Sequence, residues 1–472
     1  MKKNRIVIIV WLIFEKFGLI LLSACSFLAF AFYLTPAQLG LGTLTIALCE
    51  MVSAFYSSTL ENPLVKRNCE SKSELSGVFW IGGTIAGSTM VLIAFIFCFF
   101  NSSSSVWQML LFSSISVVVS IQSRPFIAIL RHKRQFKNLA LRTLWGKLIG
   151  ALAGILSAIY GAGEWALIIQ LTIMNSIAYI ILMFSDASFI KSKPAIADFY
   201  SITIEGLAIG FRKLLDGLFG RLLILVLSFT ASPTLVGYYA FGRRLVNLPL
   251  QAVITAMASY SLPVFSKRVT QPKVLSHLFI ELTFCVFLIL FPAFVIMGLF
   301  GKEIITDVFG EKWKDSVLFF SLVSIIAGLR ILEVFSQSLQ AAFGKSSIGI
   351  KLDILRVCVS LILAFFASEF YGLVGIAAVI FFDTVFIILI RFISVNQLLK
   401  FKYTKFWLEV LTVVVSTLSN AYFVNYIIQT LKPDIFMLIG IGCFCVVLQI
   451  LVYFLVFGNW FNRLKLVLFD KH

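Results

Sequence analysis

About fourteen stretches of this 472-residue chain are apolar for long enough to cross a bilayer, and the short segments between them alternate between strongly basic and nearly neutral. A helix needs about 20 mostly apolar residues to span the hydrocarbon core. Inside that core every backbone amide must be paired within the protein, so long apolar runs cross as helices. The runs fall near 12–34, 41–60, 78–100, 106–124, 140–160, 165–184, 202–230, 235–262, 276–298, 315–342, 347–367, 372–396, 406–428 and 434–457. Charged residues make up 13% of the chain, against about 25% in a soluble domain. The pattern predicts an all-α polytopic membrane protein with no room for a sizeable soluble domain.

The basic loops hold Lys2, Lys3 and Arg5, then Lys66, Arg67 and Lys72, then Arg131, Lys133, Arg134 and Lys137. They continue with Lys191 and Lys193, with Lys267, Arg268 and Lys273, and with Lys345 and Lys351. Arg391, Lys400, Lys402 and Lys405 follow, and Arg463, Lys465 and Lys471 close the series. The alternate loops offer only Lys302, Lys312, Lys314 and Lys432. Positive loops stay in the cytoplasm, which puts both termini there and makes the helix count even. The net charge of +17 is then mostly topology and attraction to anionic lipid, and does not point to nucleic acid. The first run follows Met1-Lys2-Lys3-Asn4-Arg5 without a clean cleavage site, and reads as a retained helix.

Punctuation also repeats along the chain. Thr35-Pro36-Ala37-Gln38-Leu39-Gly40 is echoed by Ser232-Pro233-Thr234-Leu235-Val236-Gly237. Pro63-Leu64-Val65-Lys66-Arg67 is echoed by Pro263-Val264-Phe265-Ser266-Lys267-Arg268, and Leu141 to Gly161 by Asp353 to Gly372. Many transporters are built from two related halves around a midplane site. An even number of helices per half makes the halves parallel, related by an axis along the membrane normal. The expected architecture is two parallel six-helix lobes around a central cavity, residues 1–197 and 198–400, with two further helices and a tail over 401–472.

Several chemistries are disfavoured. Seven cysteines, Cys25, Cys49, Cys98, Cys285, Cys358, Cys443 and Cys445, lie in apolar runs and Cys69 lies in a basic loop. None has the spacing of a zinc site or a disulfide framework, so neither metal nor cofactor is expected. Gly344-Lys345-Ser346 lacks the earlier glycine of a phosphate loop, because Leu339 stands there. His132, His277 and His472 sit in or near basic loops, which leaves no intramembrane histidine relay. The alternate loops are short, and Glu303, Asp307, Glu311 and Asp315 are interleaved with lysines as in a solvated turn. A polymerase or glycosyltransferase would want a large outer loop or paired acids, so the chain does not read as an enzyme.

The seventh and eighth runs carry charge inside the membrane. Arg212 and Asp216 stand four apart on the seventh and can pair along it. Lys213 and Arg221 share that run, where Gly206, Gly210, Lys213, Gly217 and Gly220 recur at helical spacing and give one face almost bare of side chains apart from the lysine. The eighth run carries Arg243, Arg244, Asn247 and Gln251. Each cation would cost about 2.5–3.5 kcal/mol facing lipid at the bilayer centre. The five together reach roughly 12–18 kcal/mol, the scale of a whole fold's stability. They therefore face water, a counter-charge or a ligand, which implies an aqueous cavity of net positive charge. Arginine forks suit phosphate oxygens. Candidate headgroup contacts are Arg212, Lys213, Arg221, Arg243, Arg244, Asn247 and Gln251, with Lys16 from the first half. Glu15, Glu50 and Asp216 are the candidate coupling carboxylates. Blander readings stand beside these: Arg221 or Arg244 can snorkel to an interface, and the glycine row can serve only close packing. Arg330 with Glu333, and Asp353 with Arg356, read as structural pairs three residues apart.

The ordered motifs also carry a resemblance. They are Leu34-Thr35-Pro36 with Leu39-Gly40, Val78-Phe79-Trp80, Arg124-Pro125 with Leu130-Arg131 and Phe136, and Gly161-Ala162-Gly163-Glu164-Trp165. Gly237-Tyr238-Tyr239, Arg244-Leu245-Val246-Asn247-Leu248-Pro249-Leu250-Gln251, Phe309-Gly310-Glu311-Lys312-Trp313 and Gly372-Leu373-Val374-Gly375 continue the series. Over most of residues 1–400 the chain resembles the polysaccharide transporter family of the multidrug/oligosaccharidyl-lipid/polysaccharide exporter superfamily, which includes the bacterial O-antigen flippases.

That resemblance implies a V-shaped cavity lined by the first, second, seventh and eighth helices. It implies, as substrate, an oligosaccharide repeat unit on undecaprenyl diphosphate, moved from the cytoplasmic to the periplasmic leaflet of the bacterial inner membrane for O-antigen, capsule or exopolysaccharide assembly. A polysaccharide polymerase and chain-length machinery are the implied partners, besides membrane lipids. The lipid tail would stay in the bilayer while the diphosphate pairs with Arg212, Lys213, Arg243 or Arg244. Two positions depart from the family pattern. Phe32-Tyr33 replaces a basic residue, and Arg221-Leu222 stands where the family often has an aspartate, so a cation-coupling role for that aspartate does not carry over. The alternatives are a peptidoglycan-precursor or multidrug exporter of the same superfamily, or a membrane polymerase or ligase acting on lipid-linked sugars. A basic cavity disfavours a drug/cation antiporter.

Overall fold

In the computed structural model the described residues are 2–100, 105–185, 187–344, 350–399 and 404–431, with isolated positions 440, 444, 447 and 451. Side chains are described throughout these except at 2–16, 212–218, 350–351, 425 and 427–431. The described residues form helices and no strand. In chain order they are α1 (Lys2–Tyr33), α2 (Pro36–Lys66), α3 (Lys72–Phe100), α4 (Val106–His132), α5 (Phe136–Ile159), α6 (Trp165–Met183) and α7 (Ile196–Thr230). There follow α8 (Pro233–Ser266), α9 (Pro272–Leu299), α10 (Glu311–Ala342), α11 (350–371), α12 (373–399) and α13 (Thr404–Leu431). Among the described residues ten helical segments are long and apolar enough to cross a membrane, with Phe17–Tyr33 and Phe219–Thr230 as shorter apolar stretches. The chain is an all-α, multi-pass membrane protein. The last expected run, 434–457, falls almost wholly outside the described residues.

The helix boundaries follow from local chemistry. Thr35 caps α2 by accepting the Gln38 amide at 3.3 Å, while the Gln38 side chain accepts the Thr35 amide at 3.0 Å. This reciprocal box satisfies two orphan donors, and Pro36 sits at the first helical position, where no amide is needed. The echo at α8 repeats the device, with Ser232 accepting the Leu235 amide at 3.3 Å beside Pro233. Between α11 and α12 the helix breaks at Gly372, whose φ of 54° and ψ of −133° suit glycine.

The chain packs as two compact units, Met1–Ala240 and Phe241–His472. In the first, α2 lies along α7, α5 along α6 and α1, and α3 along α4. Its interior is apolar, with Phe79, Phe126 and Phe189 in mutual ring contact. In the second, α9 packs on α10 and α13, and α10 packs on the α11–α12 hairpin. Phe241 stacks on Trp313 with ring centroids 4.1 Å apart.

Candidate functional site

The pairing of α2 with α7 positions the intramembrane charges of the first unit. Contacts fall along α2 as they rise along α7, the mark of an antiparallel pair. Arg67 meets Glu205, Thr59 meets Gly206 and Gly210, and Glu50 meets Arg221. Glycine permits this approach, since a Cβ on Gly206 would overlap the Thr59 carbonyl. The glycine row of the seventh run thus does serve close packing, at least at its first two members. Bringing the backbones together holds the facing side chains of Glu50 and Arg221 in register.

Glu50 lies near the middle of α2, about 21 Å from Pro36 and about 24 Å from Lys66 along the axis at 1.5 Å per residue. Its Oε2 is 3.2 Å from Arg221 Nε. The Glu50 side chain is 51% exposed and that of Arg221 is 26% exposed. A half-open carboxylate at this depth is tolerable against water and costly against lipid tails. The pair therefore marks an open face of the first unit. One guanidinium edge is held by the carboxylate, and further donors of a five-donor fork are left to reach a second acceptor. Two residues singled out separately in the sequence are here one group.

In the second unit Arg243 and Asn247 are half-buried and Arg244 and Gln251 are exposed, all on α8. Arg244, Asn247 and Gln251 share a helical face by their spacing of three and four. The side chains of Glu15, Lys16, Arg212, Lys213 and Asp216 lie outside the described residues.

Two carboxylates that the sequence did not single out tie helix ends together. Glu205 of α7 meets Lys66 Nζ at 2.6 Å and Arg67 Nη2 at 2.7 Å. Arg67 also meets Glu74 at 2.6 Å and donates to Ser201 at 3.0 Å. Those bonds, to Glu74 first and then to Glu205, hold the Arg67 guanidinium above its ordinary pKa. Glu61 of α2 is buried between Arg124 at 3.2 Å and Arg131 at 2.5 Å, and Arg124 is fixed in turn by Ser120 at 2.9 Å. The available signal was an acidic residue at the edge of an apolar run, level with the basic loops that hold Lys66, Arg67 and Arg131. The expected pairs Arg330 with Glu333 and Arg356 with Asp353 both form, at 3.3 Å and 3.8 Å.

Among the described residues this arrangement sets no nucleophile beside a base. It offers guanidinium groups on open helix faces, which can hold an acidic group and release it. Comparison with known proteins agrees with a transporter. The family described as polysaccharide biosynthesis protein matches residues 30–318. The lipopolysaccharide biosynthesis protein WzxC of Escherichia coli (strain K12) is 21% identical over 401 residues, 80% of this chain and 80% of that protein. The teichuronic acid biosynthesis protein TuaB of Bacillus subtilis (strain 168) is 25% identical over 118 residues. That match spans 25% of this chain and about a quarter, 24%, of TuaB. A solved structure of the lipid II flippase MurJ, in an inward closed conformation, superposes with a TM-score of 0.75 at 16% identity and covers 94% of this chain and 99% of that one. The last likeness is one of fold.

Proposed function

The chain belongs to the family described as polysaccharide biosynthesis protein, and we propose that it is the flippase moving undecaprenyl-diphosphate-linked oligosaccharide repeat units across the bacterial inner membrane. The observation that carries this reading is the Arg221–Glu50 pair, half-open at mid-helix. A cation so placed attracts an acidic headgroup, while the polyprenyl tail can stay in lipid. Arg212, Lys213, Arg243 and Arg244 add positive charge on α7 and α8, and Asn247 and Gln251 offer neutral hydrogen bonds to sugar hydroxyls. Lys16 is assigned to the facing wall, with Glu15, Glu50 and Asp216 as candidate coupling carboxylates.

Transport proceeds by alternating access, the lobes at 1–197 and 198–400 rocking about the headgroup site while 401–472 remains an appendage. Both termini lie in the cytoplasm, where the basic loops keep them. The product leaves toward a polysaccharide polymerase and its chain-length machinery, in O-antigen, capsule or exopolysaccharide assembly. No bond is made or broken. Deleting the gene tests the whole scheme. Single lipid-linked repeat units should accumulate on the cytoplasmic leaflet and surface polysaccharide should disappear. Continued export of single units without the gene would reassign the chain to polymerisation, and accumulation of peptidoglycan precursor instead would move it to that branch of the superfamily.

A further inference from the structure

A chain of six charges of alternating sign runs through α10, α11 and α12 of the second unit. Glu333 meets Arg330 at 3.3 Å, within a 3₁₀ turn of α10. The turn that carries Arg330 packs against the α11–α12 hairpin, on which Asp383 lies. Asp383 Oδ1 is 2.5 Å from Arg356 Nη1 and accepts from Ser360 at 2.9 Å. Arg356 Nε lies 3.8 Å from Asp353 Oδ1, and Asp353 Oδ2 lies 3.1 Å from Arg391 Nη2. Three carboxylates thus face three guanidiniums and the charges cancel. Four of the six are deep, the side chains of Glu333, Asp383, Arg356 and Arg391 being 8%, 9%, 11% and 12% exposed, while Asp353 at 23% and Arg330 at 36% lie nearer the surface.

Burying so many ions costs several kcal/mol each, and their mutual attraction offsets this only if the remaining hydrogen-bonding capacity is also satisfied. Here it is not satisfied by protein. Glu333 Oε2, Asp353 Oδ1, Arg391 Nε, Ser336 Oγ and Gln340 Nε2 are buried, and none has a hydrogen-bond partner among the described protein atoms. Glu333, Ser336 and Gln340 follow one another at spacings of three and four, so they share one face of α10. The orphans are of both kinds. Two are carboxylate oxygens that need donors, two are N–H groups that need acceptors, and the hydroxyl can serve either way. A lone cation would match only the oxygens and a lone anion only the N–H groups. Either would also unbalance a neutral group.

We propose that the second unit encloses a water-holding ionic chamber, extending from Arg391 and Asp353 to Glu333, Ser336 and Gln340, in which bound water bridges the unmatched donors and acceptors. Water is the small ligand that both gives and accepts, and buried water commonly makes about three such bonds. The chamber hydrates the ionic chain and gives unit two a polar interior of its own, apart from the α2–α7 face.

The test uses a matched pair on one helix. Ser336 and Ser324 are both fully buried on α10, but Ser324 donates to the Phe320 carbonyl at 2.8 Å. Ser336→Cys and Ser324→Cys would be placed separately in the full chain, reconstituted in lipid and exposed to brief X-ray radiolysis. This generates hydroxyl radicals from bound water and oxidises the thiol beside it, as read by peptide mass spectrometry. The expected result is oxidation at Cys-substituted 336 at least tenfold faster than at 324. Equal rates would overturn the chamber. Should Ser336→Cys fail to fold, Gln340→Cys supplies the same comparison against Ser324→Cys.

Discussion

Gly237, in the first turns of α8, stands so close to Pro36 of α2 that a Cβ on it would overlap the Pro36 carbonyl. Gly40 stands in the same relation to Pro233. Each motif of the echoed pair therefore touches its copy reciprocally, as residues do across a two-fold contact. The repeat in sequence is a local symmetry in space, within the first unit. Neither glycine has room for a methyl group, because the obstacle is backbone. Gly40→Ala and Gly237→Ala should each destabilise the protein by about 1–3 kcal/mol, the usual cost of overpacking. Thermal unfolding of the purified variants in detergent measures this, and an unchanged midpoint would show that the contact is loose.

Arg221 should matter to transport more than to folding. Its partner Glu50 is half in solvent, and open ion pairs contribute little to stability, about 0–1 kcal/mol. A hydrogen bond to a charged group contributes about 1.5–3 kcal/mol. Arg221→Ala should thus weaken headgroup binding by roughly tenfold to a hundredfold while the unfolding midpoint barely moves. Flipping assayed in proteoliposomes with a lipid-linked sugar separates the two effects. A folded Arg221→Ala protein with wild-type flipping would remove this residue from the site.

The two α8 arginines give a coarser test in cells. Arg243→Ala combined with Arg244→Ala should abolish surface polysaccharide while the protein reaches the membrane at its normal level. Immunoblotting and surface staining report both quantities. Normal export from this double variant discards the phosphate role of α8.

What was legible depended on range. Bilayer thickness fixes run length, so the helices could be read from hydropathy, and Gly372 correctly divides the expected runs 347–367 and 372–396. Arg330 with Glu333 and Asp353 with Arg356 were legible because helical spacing makes them neighbours. Glu50 and Arg221 could each be flagged as intramembrane charges, but their meeting depends on α2 lying antiparallel to α7, 171 residues away. Glu61, Glu205 and Asp383 were not singled out for the same reason, since each finds its main partner on another helix. Arg391 counts among the basic loop residues in the sequence, yet it lies within α12 and binds Asp353 of α11. Loop charge and buried charge look alike until the helix is known to continue.

Asp383 and Arg356 should show the asymmetry of buried ion pairs. Removing one partner leaves an uncompensated charge and costs about 3–5 kcal/mol, whereas replacing both by apolar groups of similar volume is often neutral or better. Arg356→Met alone and Asp383→Leu alone should each lower the unfolding midpoint sharply. The combination Arg356→Met with Asp383→Leu should recover most of that loss. Recovery will be incomplete to the extent that Ser360 and Asp353 lose partners. If the double variant is as unstable as the sum of the singles, the two residues are not coupled and their 2.5 Å contact has no energetic meaning.

Cys69 gives a pH-dependent readout at the end of α2, outside the membrane runs. Burial pushes its thiol up to about 11, with the nearby Glu74 carboxylate adding to the effect. The thiolate is the reactive form, and an ordinary cysteine is half-ionised near pH 8.5. A raised value keeps Cys69 neutral across the physiological range, so maleimide labelling should be slow at pH 7. The rate should climb about tenfold per pH unit through pH 9 and 10, where a free thiol has already levelled off. Glu74→Gln removes the smaller contribution and frees one partner of Arg67, so it should shift the curve modestly toward lower pH. Peptide mass spectrometry of the segment containing Cys69 gives the rate at each pH. Rapid labelling at pH 7, with a plateau above pH 9, would show that this thiol is open to water.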